Sequence, residues 1–443
     1  MKLLPNAICI VLSALVLNTA AVAKAKNKLN HDESRIVEQV QKDLPLAIKE
    51  IEEAVNINSG SMNLEGVKKV GELAKAQFKR IGFEVEWLDG SAFKRAGHIV
   101  ATHMSSNPNA PKILMIGHLD TVFAKHDAFQ TFERLSDTQA KGPGVADMKG
   151  GNTIIISALR VLQRLKLLDN ISIRVVLTGD EESSGRPLSL SKKAIVDAAI
   201  WADIALGFEN GDNNIATAMA ARRGYAGWTL EVSAKPAHSS QIFNPDVGMG
   251  AIYETARILE AFREQLGKEK DLTFNPGLIA GGTQLELDSP AATANAFGKS
   301  NVIAKTAIVR GDLRAVSLDQ ENRAKAIMQQ IIKNNLPHTQ ATLSFSEGYP
   351  PMALTSGNKA LLALYNQVSL DLGYNAIEAA NPRNAGAADI SFAANHVDMA
   401  LDGLGLMGSS AHTQQETADL TSLSKNIEKT ALLVYRLSRN KAL

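Results

Sequence analysis

The chain alternates between two textures of apolar spacing. Stretches such as "VEQVQKDLPLAIKEIEEAV" and "NLEGVKKVGELAKAQFKRIG" place apolar residues three and four apart and predict helices, while "GFEVEWL", "KILMIGH", "ISIRVVLTG" and "IALGFE" are short β-rich runs that predict strands. Runs such as "ILMI" and "IRVVL" are apolar on both faces and are separated by helical patterns. They predict strands buried in a mostly parallel α/β sheet flanked by helices. Near residue 221 the texture changes. "YAGWTLEVSA" alternates Ala226, Trp228, Leu230 and Val232 with Gly227, Thr229, Glu231 and Ser233, the pattern of a strand with one buried face. A helix, two strands, a second helix and a last strand follow, so residues 221–348 are expected to be an inserted α+β domain of βαββαβ order. The first pattern then resumes, which divides the larger α/β domain into 35–220 and 349–443.

With 443 residues the chain exceeds one ordinary core, in keeping with that division. Its net charge of +1 gives no electrostatic reason to expect nucleic acid or an anionic membrane as a partner. Residues 1–23 open with Lys2, run apolar to Leu17 and close on Ala21-Val22-Ala23, the pattern of a cleaved export signal; export to the periplasm or beyond is expected, with no membrane anchor left after cleavage. Residues 24–34, "KAKNKLNHDES", are polar and expected to be flexible. The single cysteine, Cys9, lies inside the signal, so the mature chain is expected to have no thiol or disulfide chemistry.

In open α/β sheets, active residues gather beyond the carboxyl ends of the strands. "ILMIGH" ends in His118, "IRVVLTGDEE" in Glu181 and Glu182, "IALGFE" in Glu209, and "MALDGLGLMGSSAH" leads to His412; "GPGVADMKGG" sets Asp147 in a glycine-rich turn before a helix. Singly, these residues have ordinary readings, such as a helix cap, a solvated loop or a charged turn. Together, two histidines and three carboxylates at the ends of one sheet are the donor set of zinc or another divalent metal, and Asp147 has the chemistry to bridge two ions. Asp120 can orient His118, as metal-bound imidazoles usually lean on a further carboxylate. Of the adjacent Glu181 and Glu182, one can bind metal while the other remains free as a general base. A metal acidifies bound water, and a free carboxylate beside it can take the proton and return it to a leaving amine, which is hydrolysis of an amide.

"HLDTV", "GPGVADMKGG", "GDEESSG", "GFE", "AHSS", "NVIA" and "AHTQQE" stand in the order and spacing of the two-zinc aminoacylase, carboxypeptidase and desuccinylase metallopeptidases, and the chain most resembles the glutamate carboxypeptidase branch from about residue 40 onward. The resemblance implies one zinc on His118, Asp147 and Glu209, and another on Asp147, Glu182 and His412, with cobalt or manganese as alternative ions. It also implies Glu181 as base, Asp120 as orienter of His118, and a cis peptide between Asp147 and Met148. The inserted domain would be a lid that also makes a homodimer, with His238 reaching the neighbouring active site to stabilise the oxyanion. Asn301 and Arg314 would bind a small peptide or N-acyl amino acid. By period two, Arg314 shares a face with Arg310 and Asp312, so a surface ion-pair ladder is the other reading of it, although a guanidinium is shaped to clamp a terminal carboxylate. Where such enzymes carry a glycine run and Thr-Asp, this chain has "NAGAADISF", with Gly386 keeping a backbone role.

The expected activity is therefore a zinc-dependent exopeptidase acting next to a free carboxylate. A deacylase, desuccinylase or dipeptidase with the same machinery is the nearest alternative. An exported solute-binding protein is the alternative from another class, but it has no use for a bridging aspartate or a spare glutamate.

Overall fold

The computed structural model describes residues 29–288 and 293–439. The export signal expected at 1–23 lies outside them. The first helix, His31–Val55, starts at a reciprocal cap in which Asn30 Oδ1 accepts from Glu33 N at 2.9 Å and Glu33 Oε2 accepts from Asn30 N at 2.8 Å. Residues 31–34, expected to be flexible, therefore belong to the helix; a polar cap leaves no mark in apolar periodicity.

The larger sheet has six strands in the spatial order Glu84–Asp89, Gly97–His103, Ser172–Thr178, Lys112–His118, Ile204–Gly207 and Met399–Leu401. The last four run parallel, and only Gly97–His103 opposes the general direction. Side-chain alternation divides the central strand between two layers. Ile113 and Met115 pack under the helices His31–Val55, Gly150–Arg164 and Leu420–Leu437, while Leu114 and Ile116 pack against Ile195 and Ala198 of the helix Lys193–Trp201. Both faces are dry, which explains the unbroken apolar runs. The last helix begins at Leu420, because Thr417–Asp419 pairs as a strand with Gln139–Lys141 and Asp419 Oδ1 caps Thr421 N at 2.8 Å.

Between Ala226 and Phe345 the chain builds a second, antiparallel sheet in the order Thr273–Gly282, Thr306–Arg314, Ala226–Ala234 and Thr339–Phe345. Trp228, Leu230 and Val232 turn inward against Ile258 and Phe262 of the helix Ala251–Leu266 and Met328 of the helix Leu318–Ile331. The βαββαβ reading lacks one feature: a hairpin, Gln284–Asp288 paired with Thr293–Phe297, between the two middle strands. Its alternation of Leu285 and Leu287 with Gln284 and Glu286 is the signal that could have found it. The chain crosses between the two units twice, and the crossings pair with each other at Arg222–Met352 and Tyr225–Tyr349.

Candidate dinuclear metal centre

The parallel register brings the strand ends to one edge of the large sheet. His118 is the last residue of its strand and lies opposite Thr178, while Ile116 lies opposite Gly207. The segments leaving those neighbours carry Glu181 and Glu182 on one side and Glu209 on the other. Asp147 reaches the same edge from the turn Val145–Lys149 before the helix Gly150–Arg164. That helix can seat so closely because Gly151 has no side chain; a Cβ there would lie 2.1 Å from the Phe208 carbonyl oxygen. The Asp147–Met148 peptide is cis. His412 enters from the far end of the chain with φ at 64°, in the left-handed region that few residues other than glycine occupy.

Two three-residue sets result, and they share Asp147. His118 Nε2 lies 3.3 Å from Asp147 Oδ1 and 3.4 Å from Glu209 Oε1. His412 Nε2 lies 3.0 Å from Asp147 Oδ2 and 3.2 Å from Glu182 Oε2. Donors each about 2.0–2.1 Å from a tetrahedral ion stand about 3.3–3.4 Å apart, so the spacing suits a cation in each set, with one Asp147 oxygen for each. Glu182 Oε1 is buried with no hydrogen-bond partner, an unsatisfied acceptor that a cation would answer.

Electrostatics points the same way. Burial raises Glu209 to about 7, and the Asp147 charge adds to it. Burial also raises Glu182, and it raises Glu181 well above the usual carboxylate range. Hydrogen bonds to Asp147 and Glu182 lift His412 to about 11, and around His118 the neighbouring carboxylates overcome a burial effect of opposite sign. Asp147 remains a strong acid: burial opposes its charge, but hydrogen bonds from both histidines outweigh it. Such a crowd of carboxylates with only two imidazoles calls for added positive charge.

Asp120 does more than the sequence indicated. His118 Nδ1 is held by the Asp120 backbone carbonyl at 3.0 Å, and the Asp120 carboxylate lies farther off, at 3.5 Å. That carboxylate accepts instead from Glu181 N at 3.0 Å, Glu182 N at 3.1 Å and Ser61 Oγ at 2.6 Å. One residue thus fixes the tautomer that leaves His118 Nε2 open and also sets the Glu181–Glu182 turn. The Glu181 carboxylate belongs to neither three-residue set.

Sequence reasoning missed Glu416, although "AHTQQE" contains it. Its buried carboxylate accepts from Gly144 N, Ala146 N and Asp147 N at 3.0, 2.9 and 3.1 Å and so locks the turn that carries Asp147. Tyr349 was missed too; its hydroxyl donates to the Glu181 carbonyl at 3.1 Å from a crossing segment. An acidic residue four positions after a ligand histidine was the only available hint for Glu416.

The other expected site residues lie on the smaller unit. His238 is exposed, with Nδ1 2.9 Å from Ser240 Oγ, and it bridges to Val302, while Ser239 N donates to the Asn301 carbonyl at 2.9 Å. His238 and Asn301 are therefore neighbours. Arg314 Nε pairs with Asp312 Oδ2 at 2.8 Å, and its guanidinium lies 5.3 Å from the centre of the Tyr225 ring. The contacts described for these three residues do not include the metal-ligand sets.

Two donor triads sharing an aspartate, with a spare glutamate beside them at the carboxyl edge of an α/β sheet, define a two-metal hydrolase. The chain belongs to peptidase family M20/M25/M40, whose model matches residues 114–436, and it is a metal-dependent peptide hydrolase. It is 26% identical to carboxypeptidase G2 of Pseudomonas sp. (strain RS-16) over 440 residues, covering 97% of this chain and 98% of that protein. Among solved structures, the fold is shared with the aminopeptidase PepT of Bacillus cereus, at a TM-score of 0.71, 18% identity and coverage of 89% of this chain and 98% of that one. It is shared also with a dinuclear metal-binding M20 peptidase of Bacillus subtilis, at a TM-score of 0.63, 14% identity and coverage of 90% and 99%.

Proposed function

We propose that the protein is an exported exopeptidase of the glutamate carboxypeptidase type that uses two zinc ions per subunit, works as a homodimer and hydrolyses an amide adjacent to a free carboxylate. The observation that carries this reading is the pair of donor sets sharing Asp147 while Glu181 stays outside both. His118, Asp147 and Glu209 hold one ion; Asp147, Glu182 and His412 hold the other. When bound, the ions polarise the scissile carbonyl and acidify water.

The residues of the chain do the rest. Glu181, raised by burial, takes the proton of the attacking water and returns it to the departing amine. Asp120 keeps Glu181 in reach by holding its amide and that of Glu182. Asn301 and Arg314 approach the substrate carboxylate when the lid moves over the cleft, Arg314 exchanging Asp312 for it in a bidentate clamp. His238, exposed on the lid, serves the oxyanion in the neighbouring subunit. The likeness to carboxypeptidase G2 along nearly the whole chain supports the carboxypeptidase reading over a deacylase or desuccinylase.

The test is release of amino acid from dipeptides and N-acyl amino acids ending in Glu, Asp, Lys, Ala or Leu, using zinc-loaded protein beside Glu181→Ala. Wild type should release acidic residues fastest, and the variant should lose about 100- to 10,000-fold in kcat while retaining its zinc. Equal turnover by the variant would refute the role of Glu181, and a preference for neutral or basic ends would refute the branch.

A further inference from the structure

Away from the metal centre, the helix Leu420–Leu437 turns two lysines into a cavity of about 210 Å³. Lys425 and Lys429 stand four residues apart and so project from one face of that helix. The other walls are Ser369, in the last turn of the helix Ser356–Asp371, Tyr374 and Asn375 just beyond it, and Ile215 on the segment that follows Glu209. Ser369 Oγ donates to the Asn375 carbonyl at 2.6 Å, which fixes the turn at that wall. The lining shares no residue with the two donor sets.

Lys429 is the telling member. It is 2% exposed, and its ammonium has three N–H donors to place. One acceptor is within reach, the Ile215 carbonyl at 3.4 Å, and the Tyr365 ring lies 5.0 Å away. Among the described residues no carboxylate pairs with it. Lys425 adds a second positive charge to the same cavity, and its own contact is the Tyr374 ring at 5.7 Å. Glu428, on the same helix, has both oxygens engaged: Oε1 accepts from Gln41 Nε2 at 2.6 Å, and Oε2 accepts from the Tyr374 hydroxyl. Its charge acts on Lys425, whereas Lys429 feels burial first and then Lys425, both of which lower it, to about 7. A buried ammonium is costly unless it is paired and hydrogen-bonded, and this chain supplies no acid to pair it.

The missing group is defined by what the cavity offers. Two ammonium groups call for more than one negative charge, and several unused N–H donors call for several acceptor oxygens. A phosphate group meets both needs, with a charge of about −1.5 to −2 near pH 7, and lysine binds it as a point charge. The cavity is smaller than the roughly 300–1,000 Å³ of sites for larger organic ligands, which restricts it to a compact anion. We infer that Lys425 and Lys429 form a binding site for a phosphate-type oxyanion, taken up as free phosphate or as the phosphate end of a small ester. Bound there, the anion gives Lys429 its counter-charge, ties the last helix to the segment at Ile215 and stabilises the folded chain.

The test uses the full-length, zinc-loaded protein at pH 7 in a phosphate-free zwitterionic buffer. Inorganic phosphate is titrated by calorimetry and by thermal melting, beside sodium chloride at equal ionic strength and beside glycerol 2-phosphate. At a hundredfold excess over its Kd, phosphate should raise Tm by about 3 °C, and chloride should not. Lys429→Met removes the buried ammonium and should weaken phosphate binding about 10- to 100-fold. Lys425→Met, at a partly exposed position, should weaken it less and makes the same decision if Lys429→Met does not fold. Glycerol 2-phosphate binding as tightly as phosphate would identify an ester as the ligand, and its exclusion would identify the free anion. Phosphate can also reach the zinc ions, so the variants are decisive: an unchanged Kd and Tm rise in both would put the anion elsewhere and overturn the site. No binding to wild type, or an equal rise with chloride, would overturn it too.

Discussion

Replacing Glu416 by alanine should cost the protein a metal ion before it costs the fold. The carboxylate is fully buried and accepts three backbone hydrogen bonds, from Gly144, Ala146 and Asp147. Hydrogen bonds to a charged group contribute about 1.5–3 kcal/mol each and do not add fully, while removing a buried charge returns part of its desolvation cost. A net loss of about 3 kcal/mol is therefore expected for Glu416→Ala. In a cooperative unit of this size, that lowers Tm by only about 3–4 °C. The functional effect should be larger, because the three donors belong to the turn that presents Asp147 to both donor sets. Glu416→Gln should fall between the two, since its amide oxygen still accepts but its NH2 opposes a backbone N–H. Metal content measured after dialysis should drop from two ions towards one or none in Glu416→Ala while the far-ultraviolet circular dichroism is kept. Two tightly held ions and an unchanged Tm would refute the reasoning.

Further outcomes follow from the same geometry. Asp120→Asn puts an NH2 where two backbone amides and the Ser61 hydroxyl now donate, so steady-state kinetics should show kcat reduced about 10- to 100-fold with a smaller change in KM; equal changes in both would argue for a binding role. Chelation should lower Tm by several degrees and zinc should restore it, because ions that bind only the folded state stabilise it by about 4 kcal/mol at a thousandfold excess over Kd; a Tm indifferent to chelator would speak against the centre. Lys429 is 2% exposed, has one acceptor at 3.4 Å, the Ile215 carbonyl, and is lowered by burial to about 7. Its unfolded counterpart takes up a proton at higher pH, so folding loses about 1.4 kcal/mol per pH unit as pH falls from about 10 to about 7, and little more below that. Lys429→Met should therefore raise Tm at pH 7 and gain less at pH 10; the opposite trend would show that the ammonium is paired when folded.

Strand positions were legible because burial on two faces writes itself into unbroken apolar runs. His118, the Glu181–Glu182 pair and Glu209 were legible because residues at the end of a buried strand have few reasons to be polar. The one-sided alternation from Ala226 to Val232 likewise declared a separate sheet. Local sequence left no trace of the long-range closures. Glu416 holds Asp147 from 269 positions away, Tyr349 reaches Glu181 from a crossing segment, and the Asp120 carboxylate turns to the amides of Glu181 and Glu182 rather than squarely to His118. These bonds use backbone groups, which every sequence possesses, so nothing in residue type marks them. A cleft lined by Met62, Leu64 and Val122 is equally silent, since its two walls are joined by the pairing of Gly60 with Thr121 and by Asn58 Nδ2 donating to the Phe123 and Ala124 carbonyls. Sequence determined which donors exist and which edge of the sheet they leave from; only the folded chain decided which donors meet, because meeting depends on register, helix seating and buried backbone hydrogen bonds between segments far apart in the chain.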